Sequence, residues 1–143
     1  MSRCLLLSKH GATNRHDRKG HGVYALRVLI VEDNPDARGM LTFACEVEGH
    51  VVQQAADGKQ ALERLAHEAR PDVILLDLAM PVMDGWQFRA AQKARCEWAD
   101  IPVVVVSAHE NAKDIAAIDP CACFKKPIDL EALLQTLHTL EVT

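Results

Sequence analysis

The chain has 143 residues, of which 49% are hydrophobic and 25% charged, and its formal net charge is −4 at pH 7. This length fits one globular domain that buries about 68–70% of the surface of its unfolded chain. The sequence contains no basic block and no apolar run of about 20 residues, so we expect neither direct nucleic-acid binding nor a membrane span. We predict a cytoplasmic protein.

The first 25 residues differ in composition from the rest of the chain. They are basic, contain glycine and lack an apolar period, so we predict a flexible leader before a single domain at residues 26–143. Their apolar stretch, residues 4–7, is shorter than the roughly 7–15 residues of a signal peptide core. The leader contains one cysteine and three histidines whose spacing matches no standard metal site: Cys4, His10, His16 and His21.

Five cysteines are scattered along the sequence. Their number is odd, and Cys121 and Cys123 have no second pair at zinc-site spacing. We therefore interpret all five as small, reduced, apolar residues.

Predicted strands and helices alternate from residue 26 onward. Residues 26–31 form an apolar strand, and Asn34-Pro35-Asp36 then supplies an N-cap, a proline at the first helical position and an acid in the first turn. This helix ends at Gly49, and residues 50–55 form a more polar strand, typical of a sheet edge. A second helix opens at Asp57-Gly58 and is closed by Pro71. Its apolar face contains Ala61, Leu62, Leu65 and Ala69.

The second half of the chain repeats the same alternation. Residues 73–77 are apolar up to Asp77, which indicates a strand covered on both faces. Asp84-Gly85 begins a third helix that runs to about Lys93, and residues 101–107 form a fourth strand. A short helix at 111–118, a fifth strand at 121–124 and a last helix capped by Asp129 complete the chain. The last helix carries Leu130, Leu133, Leu134, Leu137 and Leu140. The pattern predicts an α/β fold with a doubly wound, five-stranded parallel sheet and helices on both faces, in three layers.

Polar side chains follow four of these strands at their carboxyl ends: Glu32, Asp33, Asp77, Ser107 and Lys126. Parallel topology brings these ends to one edge of the sheet, where ligands bind in such folds. Three carboxylates in a small cleft repel one another, and Mg2+ with oxygen ligands relieves that repulsion.

We infer that the Asp77 carboxylate attacks a phosphoryl group and forms an aspartyl phosphate. Asp33 would hold the Mg2+ directly, and Glu32 through water or by orienting it. Lys126 and the cation would neutralise charge on the phosphoryl oxygens, and Ser107 would donate a hydrogen bond to one of them.

These residues, with the run Met80-Pro81-x-Met83-Asp84-Gly85, resemble the response regulator receiver domain, the phosphoacceptor module of two-component signalling. The resemblance covers residues 26–141 and implies a flavodoxin-like (βα)5 fold. It implies these roles: metal-binding acids Glu32 and Asp33, phosphoacceptor Asp77, a metal contact from the Ala79 carbonyl, switch hydroxyl Ser107 and ammonium Lys126. It also implies a cis Lys126-Pro127 bond, and a histidine kinase or histidine phosphotransfer protein as the phosphoryl donor.

Two features depart from the family pattern. The family's aromatic residue three positions before the lysine is replaced by Cys123, and Phe124 should face the opposite side of the strand. The stretch from Ser107 to Lys126 is shorter than usual, which affects the fourth helix. His109 and Ala79 occupy positions that tune phosphoryl loss in such domains.

We expect a phosphorylation switch, not a turnover enzyme. Because the chain ends just after the last helix, the expected output is binding to an unknown downstream protein through the fourth helix, fifth strand and last helix. The alternative is a receiver-like binding module that acts without phosphorylation. Haloacid dehalogenase-type phosphatases need a second aspartate where Ala79 stands, and the acidic loop at residues 32–36 would repel a flavin phosphate.

Overall fold

The computed structural model describes residues 25–108 and 111–141, except for the side chain of residue 141. The predicted leader, with Cys4 and its three histidines, therefore lies outside the described residues except for Ala25. His109 lies outside them as well.

Within the described residues, five strands form one parallel sheet in the order β2-β1-β3-β4-β5. The strands are β1 (Arg27–Val31), β2 (Val51–Ala55), β3 (Val73–Leu76), β4 (Val103–Ser107) and β5 (Ala122–Lys125). The helices between and after them are α1 (Pro35–Val47), α2 (Gly58–His67), α3 (Gly85–Lys93), α4 (Ala112–Ala116) and α5 (Leu130–Glu141). The predicted doubly wound fold is confirmed.

The sheet separates two hydrophobic cores, because successive side chains of a strand point to opposite faces. On one face, Leu29, Ile74 and Val105 pack with residues of α2 and α3, such as Leu65 and Phe88. On the other face, strand residues pack against α1 and α5 through Leu41, Cys45, Leu133 and Leu137. Strands β3 and β4 are buried along their whole length, as their continuous apolar runs predict.

The predicted helix starts are confirmed by side-chain caps. The Asn34 side chain accepts a hydrogen bond from the Ala37 N–H at 2.9 Å, and Asp57 accepts one from Gln60 at 2.8 Å. Asp84 and Gln87 form a capping box at the start of α3, and Asp129 accepts from the Ala132 N–H at 3.1 Å. None of the helices in the described ranges is long and apolar enough to cross a membrane.

The predicted end of the second helix was wrong. Helix α2 ends at His67, because Glu68 already has an extended backbone, with φ −120° and ψ 173°. Ala69 therefore lies outside the helix and is exposed, so it does not belong to the apolar face. A proline disfavours helical geometry in the residue before it, which leaves Arg70 outside the helix as well.

The described cysteines are free thiols, which agrees with the reduced state that the sequence predicts. Cys45 is buried, whereas Cys96, Cys121 and Cys123 are exposed. Cys121 precedes β5 and Cys123 lies on it, and β5 is an edge strand whose alternate residues face solvent. Cys4 lies outside the described residues.

Candidate functional site

Glu32 and Asp77 are brought together by the pairing of two adjacent strands. The last residues of β1 and β3, Val31 and Leu76, are register partners, and the Asp77 N–H donates to the Val31 carbonyl at 2.9 Å. Carboxylate oxygens of Glu32, Asp33 and Asp77 all lie within 4.8 Å of one another. Glu32 and Asp77 are buried, while Asp33 is exposed at the mouth of the cluster. This oxygen set suits a hard dication such as Mg2+.

The side chain of Lys126 also reaches this cluster, although β5 lies two strands away from β3 in the sheet. It follows β5, and its backbone N–H donates to the Ser107 carbonyl at 3.0 Å. Its Nζ lies 2.6 Å from Glu32 Oε1 and 3.8 Å from Asp77 Oδ2. The peptide bond from Lys126 to Pro127 is cis, as the resemblance implies. The structure thus joins residues that follow the first, third and fifth strands.

Glu32 is held by a partner on each carboxylate oxygen. Oε1 pairs with Lys126, and Oε2 accepts the Asn34 N–H at 3.1 Å. A cation bound directly to Glu32 would have to compete with Lys126 at Oε1 or share Oε2 with the Asn34 N–H. This geometry favours the indirect role, through water or orientation, that the sequence predicts.

The electrostatics of the site are dominated by Asp77. The pKa of Asp77 is raised to about 7, mainly by burial and then by the neighbouring charge of Glu32, against the opposing effect of Lys126. For Lys126 itself, burial acts to lower the pKa, but the Glu32 hydrogen bond and the nearby carboxylates outweigh it, so the pKa is raised. Lys126 is therefore charged at neutral pH, and a cation that binds Asp77 competes with a proton.

The remaining predicted site residues lie at the same edge of the sheet. Ser107 ends β4 and is buried, with only 2% of its surface exposed. Ala79 is exposed in the loop that follows Asp77. The predicted roles of the Ser107 hydroxyl and the Ala79 carbonyl stay predictions.

Arg38 is a site residue that sequence reasoning missed. It lies in the first turns of α1, and its Nη1 donates to the Glu32 carbonyl at 2.8 Å and lies 3.5 Å from the Asp33 carbonyl. Helical side chains lean toward the N-terminus of their helix, so an arginine at this position reaches back over the loop before it. The contact holds the backbone of the acidic pair in place.

Gly85 allows the start of α3 to pack against the chain segment that carries Asp77. Its N–H donates to the Leu78 carbonyl at 2.9 Å. A Cβ at this position would lie 2.8 Å from the Asp77 carbonyl oxygen and 2.7 Å from Leu78 Cδ2. The glycine is therefore required by close approach of two backbone segments, one of which carries Asp77.

Gly85→Ala is expected to destabilise the fold by about 1–3 kcal/mol, because backbone atoms around Asp77 must shift to admit the methyl group. The matched control is Gly39→Ala in α1, where a Cβ meets nothing within 4 Å. That control should gain about 0.5–1 kcal/mol from helix propensity. Urea unfolding of both variants measures the difference. Equal stabilities for the two variants would contradict the packing argument.

The structure confirms that Phe124 faces away from Cys123. Phe124 packs against the core shared by α1 and α5, whereas Cys123 is exposed. On the other side of the site, the Trp86 indole N–H donates to the Asp114 carbonyl at 2.8 Å and so connects α3 to α4. The strand position three residues before Lys126 therefore carries an exposed thiol instead of an aromatic side chain.

The family model for the response regulator receiver domain matches residues 28–138 of this chain. Protein PilH of Pseudomonas aeruginosa is 33% identical over 120 residues, which cover 80% of this chain and 96% of PilH. The response regulator MprA of Mycobacterium ulcerans is 33% identical, and the DNA-binding dual master transcriptional regulator RpaA of Synechocystis sp. is 36% identical. Each match covers about four fifths of this chain, 81% and 80% respectively. This chain spans about half the length of these two regulators, 50% and 48%.

Solved structures show the same similarity. The chemotaxis protein CheY4 of Vibrio cholerae superimposes with a TM-score of 0.75 at 29% identity, over 81% of this chain and 98% of that one. The N-terminal domain of a protein from Wolinella succinogenes gives a TM-score of 0.74 at 32% identity, over 81% and 94% of the two chains.

Proposed function

The chain belongs to the response regulator receiver domain family, and from this premise we propose that Asp77 accepts a phosphoryl group in a Mg2+-dependent reaction. The observation that supports the proposal most strongly is the meeting of three carboxylates and Lys126 at one point. Asp77 is the buried carboxylate that lies beside both the acidic pair and the ammonium group. Apolar replacements of buried ionic groups are often neutral or stabilising, so the burial of Glu32 and Asp77 beside Lys126 supports a role other than stability.

The donor atoms present fit the proposed cation. Asp33 and Asp77 would hold Mg2+ with oxygen ligands, the Ala79 carbonyl would supply a third, and Glu32 would act through water. When bound, Mg2+ neutralises charge on the phosphoryl oxygens. Three carboxylates, Lys126 and a dication sum to zero formal charge, so a phosphoryl group meets no large net repulsion.

Each side chain of the site has a separate task in the proposed phosphoryl transfer. An Asp77 carboxylate oxygen attacks the phosphorus of a phosphohistidine, the P–N bond breaks, and the imidazole leaves with the electron pair. The product is an acyl phosphate on Asp77. Lys126, already 3.8 Å from Asp77 Oδ2, pairs with a phosphoryl oxygen, and Ser107 donates a hydrogen bond to another. The domain ends modified after each transfer, so we propose a phosphoacceptor and not a turnover enzyme.

We propose that the phosphoryl donor is a histidine kinase or a histidine phosphotransfer protein and that the output is binding to another protein. The surface of α4, β5 and α5 is the proposed reporting surface. The Trp86 indole donates to the Asp114 carbonyl and so connects α4 to α3, whose first residue, Gly85, donates to the Leu78 carbonyl next to Asp77. The Lys126–Glu32 pair connects the end of β5 to the acidic cluster. Partial population shifts are expected, since a shift from 1:99 to 99:1 needs about 5.5 kcal/mol.

Incubation with acetyl phosphate and Mg2+ tests the proposal. We expect the parent chain to gain the mass of one phosphoryl group, and to gain nothing when EDTA removes the cation. Asp33→Asn should need at least about tenfold more Mg2+ for the same yield, because it removes a charged ligand. Asp36→Asn is the matched control, since Asp36 is an exposed acid in the first turn of α1 outside the cluster.

A receiver-like module that binds partners without phosphorylation is the second candidate. The exposed Cys123 in place of an aromatic residue favours it. That candidate predicts no mass gain from acetyl phosphate and no change in tryptophan fluorescence when Mg2+ is added, although Trp86 lies just after the loop that follows Asp77. Either a mass gain or a saturable fluorescence change would exclude it.

A further inference from the structure

Two exposed thiols lie on the same face of the sheet, at the edge strand β5. Cys123 lies on β5, and Cys121 immediately precedes the strand and continues its ladder, since the Cys121 N–H donates to the Val103 carbonyl at 2.9 Å. Residues two apart on a strand point to one face, which here is the face of Val105, the register partner of Cys123. Helix α4, which packs on this face through Ile115, has five residues, and none of them is buried. Both thiols remain exposed, and we call them the β5 thiol pair.

The spacing of the β5 thiol pair suits a bridging ion better than a disulfide. Residues two apart on a strand have Cα atoms about 6.4–6.8 Å apart, and their Cβ atoms are separated by a similar distance. A disulfide needs Cβ atoms about 3.5–4.5 Å apart, so these two thiols cannot bond to each other without strain. An ion with metal–sulfur bonds of about 2.3 Å joins sulfur atoms up to about 4.6 Å apart. Two cysteine side chains that lean toward each other along the strand reach that separation.

A buried cation lies near the β5 thiol pair. Arg89 of α3 is only 7% exposed. Its guanidinium donates to the Ile118 and Asp119 carbonyls at 2.8 and 3.2 Å and to the Gln92 amide oxygen at 2.7 Å. Within the described ranges, the hydrogen bonds of this guanidinium therefore all go to neutral oxygen atoms. A buried charge is costly unless an opposite charge lies beside it, so this position favours an anionic group near Arg89.

Arg89 and Cys121 line the same open hollow of about 460 Å3, at the amino ends of β4 and β5. Both acids that line the hollow already pair with a basic residue, Asp100 with Arg70 at 3.0 Å and Asp119 with Lys93 at 3.7 Å. A thiolate at Cys121 is therefore the counter-charge that this hollow can still offer to Arg89.

The two thiols are neutral at pH 7 as long as no ion is bound. Burial raises the pKa of Cys121, against the lowering effects of its backbone hydrogen bond and of the Arg89 charge. Burial also raises the pKa of Cys123. A thiophilic cation displaces both protons, because the thiolate is the form that binds metal. Metal binding thus creates negative charge beside Arg89, whereas the protonated pair supplies none.

Ligand number and charge select the kind of ion. Zn2+ in structural sites takes four ligands, but the one group of three or more metal-binding side chains among the described residues is the acidic cluster at Asp77. Soft thiolates select Cu(I), for which two sulfur ligands in a line form a stable complex. Two thiolates and Cu(I) carry one net negative charge, which the Arg89 guanidinium balances.

We propose that the β5 thiol pair binds one Cu(I) ion between the sulfur atoms of Cys121 and Cys123. Each S–H bond is replaced by an S–Cu bond and two protons leave to solvent, so neither copper nor sulfur changes its oxidation state. The site is separate from the phosphoryl chemistry at Asp77. Because β5 belongs to the proposed reporting surface, the ion lies where a partner would bind, and only this consequence rests on the proposed function.

Anaerobic titration of the reduced full-length chain with Cu(I), in competition with a chromogenic Cu(I) chelator, tests the proposal. We expect the parent to withdraw one Cu(I) per chain from the chelator. Cys121→Ser and Cys123→Ser should each weaken binding at least about tenfold, because one of the two sulfur ligands is lost. Both positions are exposed, so these substitutions leave the core intact, and a circular dichroism spectrum checks that the fold is kept.

Cys96→Ser is the matched control, because Cys96 is an exposed thiol outside the β5 thiol pair. This variant and Cys4→Ser should bind Cu(I) as tightly as the parent. Equal affinity in the parent and in both β5 variants would overturn the proposal, and so would an equal loss in either control. A single ion shared by two chains, seen as a doubled mass in native mass spectrometry, would also overturn it, because the site would then lie between two copies.

Discussion

Asp77→Asn is expected to gain no phosphoryl group under conditions in which the parent chain becomes fully modified. An amide oxygen is not a competent nucleophile toward phosphorus, and the substitution also removes a charge from the proposed cation site. Glu32 is a poorer nucleophile than Asp77, because its two oxygens already accept Lys126 and the Asn34 N–H. Intact-mass spectrometry after incubation with acetyl phosphate and Mg2+ measures the outcome.

Asp57→Asn provides the control for this substitution. Asp57 lies at the same edge of the sheet, where it caps α2, and asparagine caps a helix about as well as aspartate does. This variant should be modified to the same extent as the parent. A phosphoryl group on the Asp77→Asn chain, found on Glu32 or Asp33 by peptide mapping, would show that the acidic cluster does not single out Asp77.

The doubly wound parallel sheet and the edge that carries the site could be predicted from sequence, because the strands and helices that define them follow local patterns. Continuous apolar runs define β3 and β4, and right-handed crossovers leave few ways to arrange alternating strands and helices. Cap residues such as Asn34 and Asp84 fix the helix starts through contacts three residues away. Each of these features depends on residues that are close in the chain.

The features that sequence reasoning missed depend on residues that are distant in the chain or on backbone detail. Lys126 pairs more closely with Glu32 than with Asp77, although Lys126 and Glu32 are 94 residues apart in the chain. This pairing depends on where the loop after β5 places the ammonium group of Lys126. The contact of Arg38 with the Glu32 carbonyl depends on the angle at which α1 leaves β1. Ala69 was wrongly placed in the second helix because it is apolar and lies at helical spacing from Leu62 and Leu65. The backbone has already become extended at Glu68, before this residue.

The stability of the metal-free domain is expected to fall as pH rises from about 4 to about 7, because Asp77 retains a proton in the folded state. Its pKa is about 7 when folded, against the ordinary value of 3.8 for an aspartate carboxyl group. Between these values the folded state binds a proton that the unfolded state has released, so the free energy of unfolding decreases with increasing pH. Lys126 does not contribute in this window, since its raised pKa keeps it charged throughout.

Asp77→Asn isolates this effect from the other carboxyl groups that titrate over the same range. In EDTA at pH 8 the variant should be more stable than the parent by about 2–4 kcal/mol, and the difference should shrink toward zero near pH 4. Mg2+ at a hundred times its Kd should restore about 2.7 kcal/mol to the parent and little to the variant, because binding to the folded state alone stabilises it. Urea unfolding of both chains at several pH values measures these differences. If the stability difference between the two chains stays constant with pH, repulsion among Glu32, Asp33 and Asp77 is not what Mg2+ relieves. The proposed dication site at this edge of the sheet would then lose its electrostatic basis.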